Sequence, residues 1–465
     1  MMAQYSKVRF SQDMKIKFIL PALTEAHGQF WRPIKYSLFP PLGLATLAGY
    51  LNNSDEAVIQ DEHVEPLNLN DSPDLVVIQV YITSAYRAYE ISDHYREKGI
   101  TVILGGLHVT ALPNEALQHA DSIVLGPAEK IWGEVLDDFR NNRLEKIYFS
   151  NLRTLKNQPP VRRDLIKREF YLVPNSLVIS RGCPHSCDFC YKTSFFRGGK
   201  SFYTYTTDQA LSEIEILKGK HLFFLDDNIF GNPALAFSLF SEMKGMGRVW
   251  QGAATVASLQ NRKLLQVAAD SGLKSLFIGF ETLKQEGLAR HNKQHNRTGE
   301  YEKVIKTLHD YGIMINASFV FGLDQDDPSV FRATAEWAIA KGIETVTFHI
   351  LTPYPGTPLY QRLEKQQRIL HHDWNLYDTR HAVFRHPVMS SEAIEAGYQN
   401  AYSYFYKWTS ILKSAAKKEK LLSAGRHIAY TGGWKKAEPV WNFLIRLKRL
   451  NQAVPPLERV LKGYD

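Results

Sequence analysis

Cysteine is nearly absent: three in 465 residues, all within eight positions, at Cys183, Cys187 and Cys190. With no thiol elsewhere, the chain has neither a disulfide framework nor a second thiolate-held metal site. Apolar runs all fall short of the roughly 20 residues a helix needs to span a bilayer, and no secretory signal is read, so a cytoplasmic protein is expected. Surplus charge is confined too. The net charge is +8, yet from Lys407 to Leu450 eleven Lys or Arg stand against Glu419 and Glu438, leaving the rest close to neutral. A chain whose basicity belongs to its tail has little to offer DNA or RNA, and no nucleic-acid partner is expected.

What is present is one dense motif, Arg181-Gly182-Cys183-Pro184-His185-Ser186-Cys187-Asp188-Phe189-Cys190-Tyr191, a C-x-x-x-C-x-x-C run. Three thiolates are one short of a closed zinc site or a fully ligated iron–sulfur cluster, so one iron of a cluster held here keeps an open position. Zinc with His185 as fourth ligand is the alternative, but zinc cysteines usually come as two paired knuckles rather than three in one turn. With Phe189 just before the last cysteine, the loop resembles the signature of the radical S-adenosylmethionine (SAM) superfamily. That resemblance implies a 4Fe-4S cluster on Cys183, Cys187 and Cys190, SAM bound at the open iron beside Phe189 and Tyr191, and an electron donor such as flavodoxin or ferredoxin.

The pattern of apolar runs predicts an α/β chain in three parts. To about residue 150, Lys15–Pro21, Ala57–Gln60, Leu75–Val80, Thr101–Leu104 and Ser122–Leu125 read as buried parallel strands. Pro41–Leu51, Ala85–Lys98 and Pro113–His119 read as crossover helices, which makes a Rossmann-like doubly wound sheet. Residues 151–172 read as a polar linker. From 173 to 388 a strand-then-helix pattern recurs six times, with strands at Leu177–Ser180, His221–Leu225, Val249–Val256, Ser275–Phe280, Met314–Phe321 and Thr345–Ile350. Six units form a partial (βα)6 TIM barrel, in which catalytic groups gather at the strand C-termini. Residues 389–465 form a helical, basic C-terminal region.

Polar groups do stand at those ends. Leu225-Asp226-Asp227-Asn228 closes the second barrel strand, Gly279-Phe280-Glu281-Thr282 the fourth and Phe321-Gly322-Leu323-Asp324 the fifth. Carboxylates suit the ammonium and ribose hydroxyls of SAM, and glycine admits adenine to the backbone, so Asp226, Asp227, Glu281 and Gly322 are the candidate SAM contacts. Helix capping is the competing role for each. The proline-rich Leu351–Tyr360 is too stiff to continue as a strand and is expected to cap the barrel beside the substrate.

Together with Pro40-Pro41-Leu42-Gly43-Leu44, Gly105-Gly106-Leu107-His108-Val109-Thr110 and Thr352-Pro353-Tyr354-Pro355-Gly356-Thr357-Pro358, these motifs resemble the radical SAM enzymes that carry an N-terminal cobalamin-binding domain. The similarity is greatest to the branch with hopanoid and bacteriochlorophyll methylases. It implies cobalamin-dependent methyl transfer to an unactivated carbon of an apolar substrate: a lipid, a tetrapyrrole or another natural product. It also implies a cobalamin site at Pro41, Gly43, Thr83, Ser84, Gly105, Gly106, His108, Thr110 and Gly126. Pro66 stands where the D-x-H-x-x-G motif of other cobalamin proteins has glycine, so His63 is expected to be an ordinary loop residue. The lack of further cysteines closes sulfur insertion and cysteine-borne methylation. Cyclisation, desaturation or rearrangement without methyl transfer is the second expectation, with the N-terminal domain structural.

In the tail, WNFLIRLKRL (441–450) places Trp441, Leu444, Ile445, Leu447 and Leu450 on one apolar arc. Either this arc docks on the barrel, or it lies on the inner face of an anionic membrane, which would make the protein peripheral to it.

Overall fold

The apolar runs of the first segment pair as a wholly parallel six-stranded sheet in the computed structural model, which describes residues 13–26 and 34–462. Its strands are β1 (Lys15–Leu20), β2 (Glu56–Asp61), β3 (Leu75–Gln79), β4 (Thr101–Gly105), β5 (Ser122–Leu125) and β6 (Ile147–Phe149), in the order β2-β1-β3-β4-β5-β6. The order reverses beside β1, where a doubly wound sheet opens a crevice at its carboxyl edge. Phe18, Val77, Ile103 and Val124 pack on one face with the helices Leu42–Ala48 and Trp132–Arg140. Ile19, Val76, Ile78 and Leu104 pack on the other with the helix Ala85–Glu97. Burial on both faces is why these strands read as unbroken apolar runs rather than as alternation.

Two later segments complete those faces. Ile166, Phe170 and Tyr171, from the stretch read as a linker, close the first, and Tyr360, Trp374 and Tyr377, from beyond the barrel, close the second. The stretch 151–172 is thus packed structure, with two short 3-10 turns at Arg163–Leu165 and Arg168–Phe170.

The second sheet is built from β7 (Ser176–Leu177), β10 (His221–Phe224), β11 (Val249–Thr255), β12 (Leu273–Glu281), β13 (Met314–Phe321) and β14 (Thr345–Ile350), each parallel to the next. Helices alternate with these strands and pack outside them, three with side-chain N-caps (Thr206, Asn232, Asn261) that satisfy backbone donors of the first turn. Six units leave the barrel open, so β14 has an edge. Tyrosines cover it. Tyr406 Oη accepts from Val346 N at 3.0 Å and donates to Val346 O at 2.8 Å, and Tyr402 does the same for Phe348 at 3.0 and 3.3 Å. Both come from the helix Ser391–Phe405 and its end, so the aromatic-rich tail satisfies the edge that a complete barrel would pair. Between β7 and β10 lies an antiparallel ribbon, β8 (Ser180–Gly182) with β9 (Phe202–Thr204), and the cysteine loop leaves from it.

Candidate active site

The cysteine loop begins where β8 turns sharply. Gly182 has φ +72°, and a Cβ there would lie 2.0 Å from Ser201 O, so only glycine fits before Cys183. Buried Lys192 folds back over the loop and donates to Cys183 O at 2.6 Å and to His185 O. Asp188 anchors the far side: its carboxylate holds His291 Nδ1 at 2.8 Å and Arg362 Nη1 at 2.7 Å, and its carbonyl accepts from Leu359 N at 3.1 Å. The proline-rich loop therefore braces the cysteine loop. Gly356, with φ +78°, presses on Ser194, where a Cβ would fall 2.4 Å from the hydroxyl.

All three thiols are free and partly exposed. Burial pushes each up, Cys190 to about 12, and binding to a metal would displace their protons. Among the described residues no three His, Cys, Asp or Glu side chains gather about one point as a single ion requires. Three thiolates with no fourth protein ligand suit a cluster in which each takes a different iron. His185 is not poised as a ligand either: its ring stacks on His295 with centroids 3.5 Å apart and planes 1° apart.

The paired aspartates after β10 divide. Asp226 is buried, and its carboxylate accepts from Ser180 N at 2.6 Å, from Ile179 N at 3.2 Å and from the Ser180 hydroxyl, which ties β10 to the turn before β8. Desolvation pushes its pKa up to about 6 in spite of these donors. Asp227 opens to the barrel mouth and takes only the Tyr191 hydroxyl, at 3.0 and 3.1 Å. Although solvent reaches it, protein surrounds it closely enough that desolvation also raises its pKa.

Glu281 follows a bulge in the β12–β13 pairing and holds φ +65°, a left-handed conformation uncommon for glutamate. Its carboxylate pairs with the buried ammonium of Lys293, whose pKa burial would lower but which Glu281 first, and then Cys187, hold raised. Gly279 leaves room for that pair, since a Cβ would stand 2.4 Å from Glu281 Oε1. The sequence reading missed Lys293, an isolated lysine in a polar, irregular stretch. Gly322 has φ +85° and a nitrogen bonded to Asp326 Oδ2 at 3.1 Å. Phe189 packs beside Leu323, Leu359 and Phe384, beneath the loop.

The candidate cobalamin residues fall into groups. Gly43, Gly105, Gly106 and Gly126 line one apolar cavity of about 220 Å³ at the carboxyl edge of the first sheet, whose other wall includes Val178, Arg181, Phe195 and Tyr205 of the barrel segment. Thr83 and His108 line a second of about 320 Å³, with Tyr81, Tyr191, Tyr354 and Tyr377. Thr110 is a clip, accepting from Gly126 N at 2.9 Å and donating to Gly106 O at 2.8 Å. Ser84 caps its own turn through Tyr81, and Pro41 lies behind, against Ile59 and Tyr171. His63 lies in the turn after β2, as expected of a loop residue, and is buried there, with Nδ1 on Asp61 at 2.7 Å and Nε2 accepting from Leu23 N at 3.1 Å.

The first cavity contains atoms with unmet needs: Gln158 Oε1 and Arg163 Nε are buried in its wall without a hydrogen-bond partner. An apolar space with a few orphaned polar atoms fits the nucleotide tail of a corrinoid. Arg181, one residue from the cysteine loop, crosses to Glu129 beside the first sheet at 2.7 Å, a partly buried pair in which the carboxylate's pKa is lowered and the guanidinium's raised. The cavity wall and the cysteine loop thus share a strand.

Residues 177–338 match the model of the radical SAM superfamily. The chain is 31% identical over 388 residues to bacteriochlorophyllide d C-12(1)-methyltransferase of Chlorobaculum tepidum, covering 80% of this chain and 84% of that one. It is 24% identical to hopanoid C-2 methylase of Rhodopseudomonas palustris over 77% of this chain and 72% of that one. The fold matches the radical SAM methyltransferase TsrM from Kitasatospora setae, solved with cobalamin and a [4Fe-4S] cluster bound, with a TM-score of 0.64 at 14% identity, covering 95% of this chain and 100% of that one.

Proposed function

The chain belongs to the radical SAM superfamily, in the family of the bacteriochlorophyllide and hopanoid methyltransferases, and on that premise we propose that it is a cobalamin-dependent C-methyltransferase of an apolar substrate. The observation that carries the proposal is the placing of the glycine-lined cavity directly against the strand that feeds the cysteine loop. When bound, the cluster would supply the electron that cleaves SAM, and cobalamin would carry the methyl group.

The chain's own residues have definite tasks. Cys183, Cys187 and Cys190 take one iron each and leave the fourth to SAM. Asp227, with lone pairs left after the Tyr191 bond, receives the SAM ammonium, and Lys293 presents its cation to the SAM carboxylate. Gly105 stands on the same face of β4 as Ile103 and leaves the cavity open for the corrinoid tail. The tyrosine-walled second cavity leads on from Tyr191 towards the substrate, and its aromatic faces suit an apolar ring system or lipid. An acidic carrier of the flavodoxin or ferredoxin class supplies electrons. No helix among the described residues is long and apolar enough to cross a membrane.

Protein purified without oxygen is expected to retain cobalamin. Gly105→Leu tests the site, because φ is ordinary there and a Cβ meets only Val124 O at 3.6 Å and Val124 Cβ at 3.8 Å, so the added side chain enters the cavity without backbone strain. Cobalamin binding falls at least about tenfold, the equivalent of about 1.4 kcal/mol, while release of 5′-deoxyadenosine from SAM persists. Wild-type protein that binds no added hydroxocobalamin yet cleaves SAM would instead point to radical chemistry without methyl transfer.

A further inference from the structure

Sixteen large apolar side chains are exposed among the described residues, and seven of them fall between Trp408 and Leu447. On the helix Trp408–Ala415 they are Trp408 and Leu412, one turn apart, while Ser410, Ile411, Ser414 and Ala415 are buried. At the start of the helix Leu421–Lys436 they are Leu421, 89% exposed, and Leu422, 62%. On the helix Glu438–Arg446 and its end they are Val440, Phe443 and Leu447, spaced i, i+3, i+7. The arc expected from the sequence is divided: Trp441, Leu444, Ile445 and Leu450 pack inward beside Ile34 and Val173, while Leu447 stays out with Val440 and Phe443 beside it. The three helices are tied together. Trp408 lies against Gly432, where a Cβ would come within 3.2 Å of its ring, and Trp441 Nε1 donates to Gly433 O at 2.8 Å.

The basic surplus lies among these side chains. Lys407, Lys413, Lys417, Lys420, Lys436, Arg446, Lys448 and Arg449 are exposed, against Glu419 as the one exposed carboxylate of the segment. Glu438 pairs with Lys435 at 3.0 Å, and Lys418 is turned inward onto Glu344. Protein–protein interfaces are depleted of charge at their centres, whereas here cations alternate with the apolar side chains: Lys413 follows Leu412, Lys420 precedes Leu421, and Arg446 and Lys448 flank Leu447. Projecting apolar groups ringed by cations with almost no anions complement an anionic bilayer surface, with the apolar tips entering the acyl boundary and the cations meeting lipid phosphates.

We propose that the helices from Trp408 to Leu447 seat the protein on an anionic membrane surface. The proposal is independent of the reaction class, because it draws on no residue of the barrel mouth. It is tested by sedimenting the anaerobically reconstituted full chain with vesicles of phosphatidylcholine alone or mixed equally with phosphatidylglycerol. Wild-type protein sediments with the anionic vesicles at least about tenfold more strongly than with neutral ones, and added salt weakens it. The double variants L421S/L422S and V440S/F443S each lose about tenfold or more of that partition, with helix content and SAM cleavage unchanged. Absence of wild-type binding to anionic vesicles, or equal partition of the variants, overturns the proposal. So does a concentration-dependent dimer that either double variant dissociates, since the surface would then serve a second copy of the chain.

Discussion

Exchange of any one of Cys183, Cys187 and Cys190 for Ala abolishes reductive cleavage of SAM, and anaerobic reconstitution of each variant yields less than the one four-iron cluster per chain expected of the wild type. The effect is this large because nothing in the chain can substitute: no other cysteine exists, and among the described residues no group of His, Asp or Glu converges to replace a ligand. His185, the nearest alternative donor, is held in its stack on His295. Buried Lys192, Asp188 with Arg362, and Gly182 fix the loop independently of the thiols, so the Ala variants stay folded. Iron and sulfide content, with 5′-deoxyadenosine release by chromatography, check the expectation. Cleavage surviving in the triple Ala variant would refute it.

The paired aspartates give the second large effect, and one that separates two roles. Asp227→Ala removes a carboxylate that faces the mouth and holds only one hydroxyl. A charge-assisted hydrogen bond is worth about 1.5–3 kcal/mol, so SAM affinity falls on the order of ten- to a hundredfold, with cluster content and stability near those of the wild type. Asp226→Ala instead strands the amides of Ile179 and Ser180 in the interior. At roughly 1–3 kcal/mol for each buried donor left unsatisfied, its main consequence is a loss of stability, seen as a lower urea midpoint. Titration of SAM against both variants, alongside urea unfolding, distinguishes the roles. Wild-type SAM affinity in Asp227→Ala would move the ammonium site towards Glu281.

These two residues also show how far the sequence could be read. Asp226-Asp227 announces polar chemistry at a strand end, but adjacent residues point opposite ways, and the sequence does not say which turns into the fold. The cysteine loop was legible because its three thiols lie within eight residues of one another. The glycines were legible as loops at strand ends, and Gly43, Gly105 and Gly126, spread over about eighty positions of the chain, do line one cavity. The two six-stranded sheets were legible from apolar runs apart from β6, and neither it nor the strands of the separate ribbon, β8 and β9, is long enough at three residues to carry a period. What could not be read depends on tertiary contact: Lys293 reaching Glu281, Arg181 crossing to Glu129, and Trp374 and Tyr377 covering a face of a sheet that ends more than two hundred residues earlier. Single residues in polar surroundings carry no periodic signal. The tail helix was legible as an element that docks on the barrel, since Trp441, Leu444, Ile445 and Leu450 do pack inward beside Val173 and its neighbours, but the sequence did not say that Val440, Phe443 and Leu447 along one side of it stay exposed.

The central claim, radical methyl transfer through cobalamin, is tested most directly by counting products from SAM labelled with deuterium on its methyl group, supplied to reduced, cobalamin-loaded protein with tetrapyrrole and hopanoid lipid pools. The account predicts a substrate that gains the labelled methyl, with one S-adenosylhomocysteine and one 5′-deoxyadenosine formed for each methyl transferred. Formation of 5′-deoxyadenosine and a modified substrate with no S-adenosylhomocysteine and no label transferred would contradict it.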